Sequence, residues 1–315
     1  MSTAPAPDVT IITPSLNQVA FVARAIESVH AQGAVKIQHL FVDGGSVDGT
    51  LEIARHDARL HLIEAPGSSS HRAMNIALRH ARGAIVGFLN TDDLYPPGAF
   101  AAVLARFAAE PDCLLVSGTF DFLTETAPSE WRLWLRRAHL PKPALWDELT
   151  LGVPGFNAWF FRRHLLEDIG GLREQFDYAA DRDLLIRACR LTDPGFIAAP
   201  TYVYRVHDES RTMGGSARRS RRIAEEQVAL AAELVQDATA PAPLRRAARL
   251  WAARERARLA RIELGAGRFG PGAVEVIRAM GDDPLWLLHV IEGVQRRRCV
   301  DAAQRSIVGQ TPRAR

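Results

Sequence analysis

Residues 84–98, AIVGFLNTDDLYPPG, decide the fold. An apolar, β-prone run stops abruptly at Asn90, Thr91, Asp92 and Asp93. Adjacent carboxylates repel each other, and the end of a buried strand is a poor place to hide them. The same strand-then-polar-loop unit occurs twice more toward the N-terminus. VTIITP (9–14) runs into SLN, and IQHLFVDGG (37–45) runs into SVDG. A further strand is expected over 60–67. Between the strands lie segments of helical periodicity: 18–32, 46–57 with Ser46 and Asp48 as candidate caps, and 70–82, stopped at Gly83.

Strands alternating with helices predict a parallel sheet covered on both faces, with ligands beyond the carboxyl ends of the strands. The three polar loops fall at that edge, so they converge on one crevice. There Asp92 and Asp93 suit a hard divalent cation that bridges protein and a diphosphate. No G-x-G-x-x-G follows the first strand, which argues against a dinucleotide dehydrogenase. No G-x-x-x-x-G-K-[ST] is present, which argues against a P-loop NTPase.

Beyond residue 98 the expected order is a helix (99–110), a strand (113–120) and an irregular or short helical cover (131–149). A strand then runs into a helix (156–171), followed by a helix with acids at its start (177–191) and strand over 195–210. From Ser216 onward the pattern is almost wholly helical, broken at 238–243, 265–272 and 281–284.

The chain has 315 residues and 47% hydrophobic content, enough for one large domain or two modest ones. No apolar run reaches 18 residues, and MSTAPAPDVT lacks a basic segment followed by an apolar one. Cys113, Cys189 and Cys299 are far apart without metal-type spacing. Together these predict a cytoplasmic protein with reduced thiols. The net charge of +3 is uneven. Residues 211–315 hold 20 Arg against 11 acids, leaving the first 210 residues at −6. A body (1–210) and a basic helical extension (211–315) are therefore expected. In LRRAARLWAARERARLARIEL (244–264), Leu244, Ala248, Trp251, Leu259 and Ile262 share a face on which Glu255 also falls. The arginines either pair with Glu255 and Glu263 or rest on an anionic inner membrane leaflet. Aromatic residues are too sparse for nucleic-acid binding.

VTIITPSLNQVAFVARAIESVHAQ, HLFVDGGSVDGT, GAIVGFLNTDDLYPPGA and FFRRHLLEDIGGLREQFDYAADRDLLIR, in this order over residues 8–210, resemble a family 2 glycosyltransferase of the GT-A fold. The resemblance implies an inverting enzyme that moves a sugar from a nucleotide-diphosphate donor to an acceptor hydroxyl with Mg²⁺ or Mn²⁺. A UDP-sugar is the default donor, and a cell-surface glycan or lipid-linked acceptor the expected recipient. It places Pro14, Ser15 and Asn17 at the nucleotide, Asp43 at the nucleobase, Asp92 near ribose and metal, and Asp93 on the metal. Asp181 is the catalytic base, and His207 stands at the metal or diphosphate. Asn75 is retained from the pattern. Arg72 replaces an acid and reads equally as a phosphate contact or a solvated helix residue. Phe156-Asn157 replaces a His-Gln pair and points to a different acceptor surface. Trp159 is expected in the core, and Asp183 as a structural partner of Arg182 or Arg187. The competing readings are a non-catalytic nucleotide-sugar-binding protein and a nucleotidyltransferase. The latter would show a glycine-rich basic loop after the first strand, which TPSLNQVA is not.

Overall fold

A computed structural model describes residues 6–127, 130–207 and 217–309. In chain order the elements are β1 (Val9–Ser15), α1 (Val22–His30), β2 (Ile37–Asp43), α2 (Thr50–His56), β3 (Leu60–Glu64), α3 (Ser70–Leu78), β4 (Ile85–Phe88), α4 (Ala99–Ala109), β5 (Leu115–Ala127), β6 (Glu130–Arg137), α5 (Ala144–Leu151), a 3₁₀ turn (Phe156–Ala158), β7 (Trp159–Arg162), α6 (Arg163–Asp168), α7 (Ala180–Leu191), β8 (Gly195–Val206), α8 (Ala217–Gln236), α9 (Ala242–Gly265), α10 (Phe269–Asp282) and α11 (Trp286–Gly309).

One sheet organises them in the order β3-β2-β1-β4-β7-β5-β6, with β8 on β5. The first four strands are parallel, as the alternation with helices requires. The second half is mixed: β7 runs antiparallel to β4 and β5, β6 antiparallel to β5, and β8 parallel to β5. The parallel arrangement expected from the alternation over residues 9–90 thus holds for those strands, and the sheet as a whole is the Rossmann-like mixed sheet that the family resemblance implies. The irregular cover expected over 131–149 divides into a strand and a helix. Trp131, Leu133 and Leu135 alternate with Arg132 and Arg136, a period of two that fits an edge strand paired with β5. The four central strands are almost wholly buried, so they lack the alternation of a half-exposed strand.

The domain boundary expected at 210/211 lies outside the described residues. On its far side, α8 and α9 do not form a core of their own. Leu230, Leu234, Leu244 and Trp251 belong to the same buried cluster as Leu145, Trp146 and Leu184 of α5 and α7. The arginines of this region are largely paired. Glu255 takes Arg254 and Arg258, and Glu263 takes Arg221 and Arg268, both glutamates being almost fully buried. The outer surface of α10 and α11 is apolar instead. Phe269, Ile277, Leu287, Leu288 and Ile291 are each 56–71% exposed.

A specific contact ties α8 to α7. The Glu226 carboxylate accepts hydrogen bonds from the backbone N–H groups of Tyr178 (2.7 Å) and Ala179 (3.2 Å), immediately before α7. It satisfies donors that the helix start cannot satisfy within itself, and places negative charge at the positive end of the helix. Replacing Glu226 with Ala is expected to lower stability by roughly 1–3 kcal/mol, because two partly buried N–H groups lose a charged partner. Glu226→Gln should keep about half of that stability, read as the urea midpoint of each variant.

Candidate active site

The crevice forms where β1, β2, β4 and β8 end. The first loop turns at Asn17, whose φ of +52° is a left-handed conformation that non-glycine residues seldom hold. Two bonds enforce it: Asn17 N–H donates to Ser46 Oγ (2.9 Å), and Asn17 Oδ1 accepts from Val47 N–H (2.9 Å). Gln18 N–H donates to Thr50 Oγ1 and Val19 N–H to Asp48 Oδ2, so the loops after β1 and β2 form one rim. Ser15 Oγ is buried with no partner among the described residues. The Pro14 carbonyl accepts from Thr91 Oγ1 (3.0 Å), joining this rim to the acidic turn.

Asp43 sits at the rim, buried, with its carboxylate committed to its own turn. Oδ1 accepts from the N–H groups of Gly45 (2.9 Å) and Ser46 (2.7 Å), and Oδ2 from Ser46 Oγ (2.6 Å). It shapes the loop at the rim, where the resemblance implies a nucleobase contact. Asn75 also lies apart from the crevice opening. Its Nδ2 donates to Leu172 O (2.8 Å) and to Glu174, and its Oδ1 accepts from Leu172 N–H (2.9 Å). It thereby staples α3 to the segment that leads into α7. A Cβ on Gly171, at φ +67°, would stand 2.7 Å from that Asn75 oxygen, so the staple requires glycine there. Arg72 is exposed on α3, with Ser69 capping its backbone N–H.

The acidic pair divides in a way adjacency in sequence could not show. Asp93 points into the protein. Its Oδ2 accepts from the Tyr202 hydroxyl (2.9 Å) and its Oδ1 from Arg205 N–H (2.9 Å), and it is 3% exposed. Burial first, and then the charge of Asp92, push its carboxyl well above the usual carboxylate range. Asp93, expected as the metal ligand, thus has each oxygen engaged by one donor within the fold, and of the two acids it is Asp92 that opens to the crevice. Asp92 faces the crevice, its side chain 25% exposed, with His207 Nε2 at 3.3 Å from its Oδ2. The Phe21 ring, 4.5 Å from the His207 ring, backs this pair. Arg205 clamps the turn from behind, donating to the carbonyl oxygens of Asp92 and Thr91 and lying between the rings of Phe21 and Trp131.

One carboxylate and one imidazole do not make a closed metal site, and among the described residues no group of three or more His, Cys, Asp or Glu could hold an ion. Two converging donors do fit a Mg²⁺ or Mn²⁺ ion that takes its remaining ligands from phosphate oxygens and water.

Asp181 opens α7 and accepts from the backbone N–H of Arg182 (2.6 Å). Tyr204 of β8 lies against Tyr202, which holds Asp93. The Tyr204 hydroxyl is pushed well above its usual pKa by burial, then by Asp93, with Asp181 contributing as well. Asp183 faces inward and pairs with Arg173 (2.7 Å) and Arg187 (2.8 Å), a structural role. Trp159 is fully buried, its indole N–H on Pro154 O. Sequence reasoning missed Tyr202, Tyr204, Arg205 and Arg182. The first three sit in an apolar strand, where only the pairing of β8 with the acidic turn reveals their part, and that of Arg182 shows only in its packing between α5 and α9. The Arg182 guanidinium donates to Leu149, Thr150 and Gly152 carbonyls and lies over the Trp251 ring (5.1 Å). Burial pulls its pKa down to about 10.

The chain is similar to known proteins. The O-antigen biosynthesis protein RfbC of Myxococcus xanthus is 30% identical over 205 residues, which is 62% of this chain but only 16% of that protein. The uncharacterized glycosyltransferase Rv1514c of Mycobacterium tuberculosis is 29% identical over 196 residues, 60% of this chain and 71% of that one. Among solved structures, residues 1–349 of S. aureus TarS superpose with a TM-score of 0.58 at 15% identity, covering 97% of this chain and 93% of that one. The mannosyltransferase PcManGT of Pyrobaculum calidifontis, in complex with GDP-Man and Mn²⁺, superposes with a TM-score of 0.55 at 21% identity, covering 96% and 85%. These likenesses show a GT-A glycosyltransferase fold. The model of glycosyl transferase family 2 matches residues 10–170, more than half of the chain, and the chain belongs to that family.

Proposed function

We propose that the chain is an inverting glycosyltransferase that uses a nucleotide-diphosphate sugar, UDP-linked by preference, and a hydroxyl of a cell-surface glycan or lipid-linked acceptor. The observation that carries this reading is the Asp92–His207 pair at the end of β4 and β8, with Asp181 opening α7 nearby. Structures of TarS with UDP-GlcNAc and of PcManGT with GDP-Man and Mn²⁺ support a donor of this class and a divalent ion.

In this reading Asp92 and His207 hold Mg²⁺ or Mn²⁺, which when bound supplies positive charge to the diphosphate oxygens as their negative charge grows. Pro14, Ser15 and Asn17, on the rim shaped by Asp43, line the nucleotide. Arg72, exposed on α3, a helix that carries no acid, is available to a phosphate. Asp181 takes the proton of the acceptor hydroxyl while that oxygen attacks the anomeric carbon. The new carbon–oxygen bond forms as the bond to the diphosphate breaks on the opposite face, which inverts the centre.

Exchanging the expected roles of the two acids gives a sharp test. A thermal-shift panel of nucleoside diphosphates and nucleotide sugars, with and without Mn²⁺, should show a manganese-dependent rise in melting temperature with one nucleotide. Asp92→Ala should abolish that rise and leave the ligand-free melting temperature near wild type. Asp93→Ala should lower the ligand-free melting temperature, through roughly 1–3 kcal/mol for each buried donor left unpaired. Asp181→Asn should bind the donor normally and lose transfer by at least about 100-fold. Donor binding with no acceptor-dependent donor loss in wild type would instead favour a non-catalytic binding protein.

No helix of the described residues is long and apolar enough to cross a membrane. With the arginines of α9 largely paired, the apolar outer face of α10 and α11 is the surface we propose for peripheral contact with the inner membrane leaflet. Flotation with vesicles containing anionic lipid should carry the wild type upward and leave Leu287→Ser/Leu288→Ser/Ile291→Ser behind. Equal flotation of both proteins would sink the idea.

A further inference from the structure

The hairpin of β5 and β6 carries an exposed aromatic ring beside the crevice. Trp134 occupies an irregularity in the β5–β6 register, where Phe122 pairs with Leu135 and Leu123 with Leu133, so it stands outside the regular pairing. It is 58% exposed, although an indole is among the costliest side chains to leave in water. It is not an isolated surface residue. Its ring meets Phe122 edge-on at 6.3 Å, and Phe122 stacks on Tyr204 at 5.0 Å with only 17° between the planes. Tyr204 lies against Tyr202 at 4.7 Å, and Tyr202 holds Asp93. A continuous row of rings therefore runs from the acidic turn to the open edge of the sheet, passing Tyr204, whose hydroxyl feels Asp181.

A second observation falls on the same wall. The backbone N–H of Asn157 donates to the Tyr204 hydroxyl (3.3 Å). The side chain of Asn157 is 4% exposed, and its Oδ1 is buried with no partner among the described residues. A buried carbonyl oxygen without a donor costs free energy that a ligand hydroxyl can recover.

We propose that Trp134, Phe122 and Tyr204 form an acceptor subsite for a sugar ring, with Trp134 as the stacking platform and Asn157 Oδ1 as a hydroxyl acceptor. The apolar face of a pyranose, which carries only C–H groups, covers an indole well, while its rim of hydroxyls needs polar partners such as Asn157. The subsite runs from Trp134 on the open β6 edge inward to Tyr204 of β8, on elements other than those that bear the nucleotide rim of residues 14–17 and 43–50. It thus selects the acceptor and leaves the donor unaffected. This inference rests on the glycosyltransferase reading and deepens it, by assigning the acceptor a sugar ring next to the reacting hydroxyl.

The test measures nucleoside diphosphate release from UDP-hexoses, with a panel of p-nitrophenyl hexosides as acceptors, in wild type, Trp134→Ala and Trp134→Phe. In Trp134→Ala the KM for the preferred glycoside should rise roughly five- to tenfold, the range of one lost aromatic contact. The donor KM should move less than about twofold, and Trp134→Phe should restore most of the acceptor affinity. An acceptor KM in Trp134→Ala equal to that of wild type, with normal turnover, would overturn the subsite and leave the transferase reading intact. No release from any UDP-hexose by wild type would overturn both.

Discussion

The site depends on one buried carboxylate. Asp93 ties the turn after β4 to β8 through the Tyr202 hydroxyl and the Arg205 backbone, and the flanking bridge between Leu94 and Val203 repeats the tie in the backbone. A carboxyl taken almost wholly out of water is costly unless its lone pairs are filled, and here two donors fill them. The gain is positional. Holding Asp93 inward turns Asp92 outward, because neighbouring side chains at a tight turn cannot share one direction. It also brings His207, at the end of the same β8, to 3.3 Å from Asp92. Arg205 completes the clamp by donating to the carbonyls that the turn leaves unpaired.

The C-terminal helices enter the same logic from the other side of the crevice. Glu226 of α8 caps the start of α7, and Arg182, the residue after Asp181, is buried between three α5-region carbonyls and the Trp251 ring of α9. An arginine buried deeply enough to lose proton affinity stays charged here because carbonyl dipoles replace its water. The start of α7, which carries Asp181, is therefore held in part by residues more than 40 positions later in the chain. The basic composition of this region is used mostly inside the protein, in pairs such as Arg221–Glu263 and Arg254–Glu255.

Much of this was legible in the sequence. Apolar runs ending in polar loops located β1, β2 and β4 and placed their loops on one edge, since buried parallel strands leave that signature whatever their neighbours are. The assignment of Trp159 and Asp183 to structure followed from the same patterning and agrees with their burial. What was not legible depends on long-range pairing. Nothing local distinguishes Asp92 from Asp93, because the difference lies in β8, over 100 residues away. At Asn75 and Asp43 the sequence likewise could not show the partners the fold supplies. Polar side chains that bind a nucleotide and those that staple a loop are the same residue types, separated only by where their partners lie.

The mixed half of the sheet shows why the second half of the chain resisted reading. β5 is 13 residues long and serves three partners: β7 at its start, β8 along its middle and β6 at its end. A strand flanked on both sides needs no polar alternation, and the edge strand β6 was obscured by tryptophan and arginine, which suit irregular segments as well as strands. Yet that edge is where chemical variety is cheapest. The parallel half must keep its strand ends and loops in register to form the nucleotide rim. The exposed residues of the β5–β6 hairpin, such as Leu133 and Trp134, make no contact with Asp93, Tyr202 or Arg205, so they can change without disturbing the acidic turn. In the proposed reading the donor lies against the parallel half and the acceptor against a hairpin, so one recipient can be exchanged for another at little cost in stability.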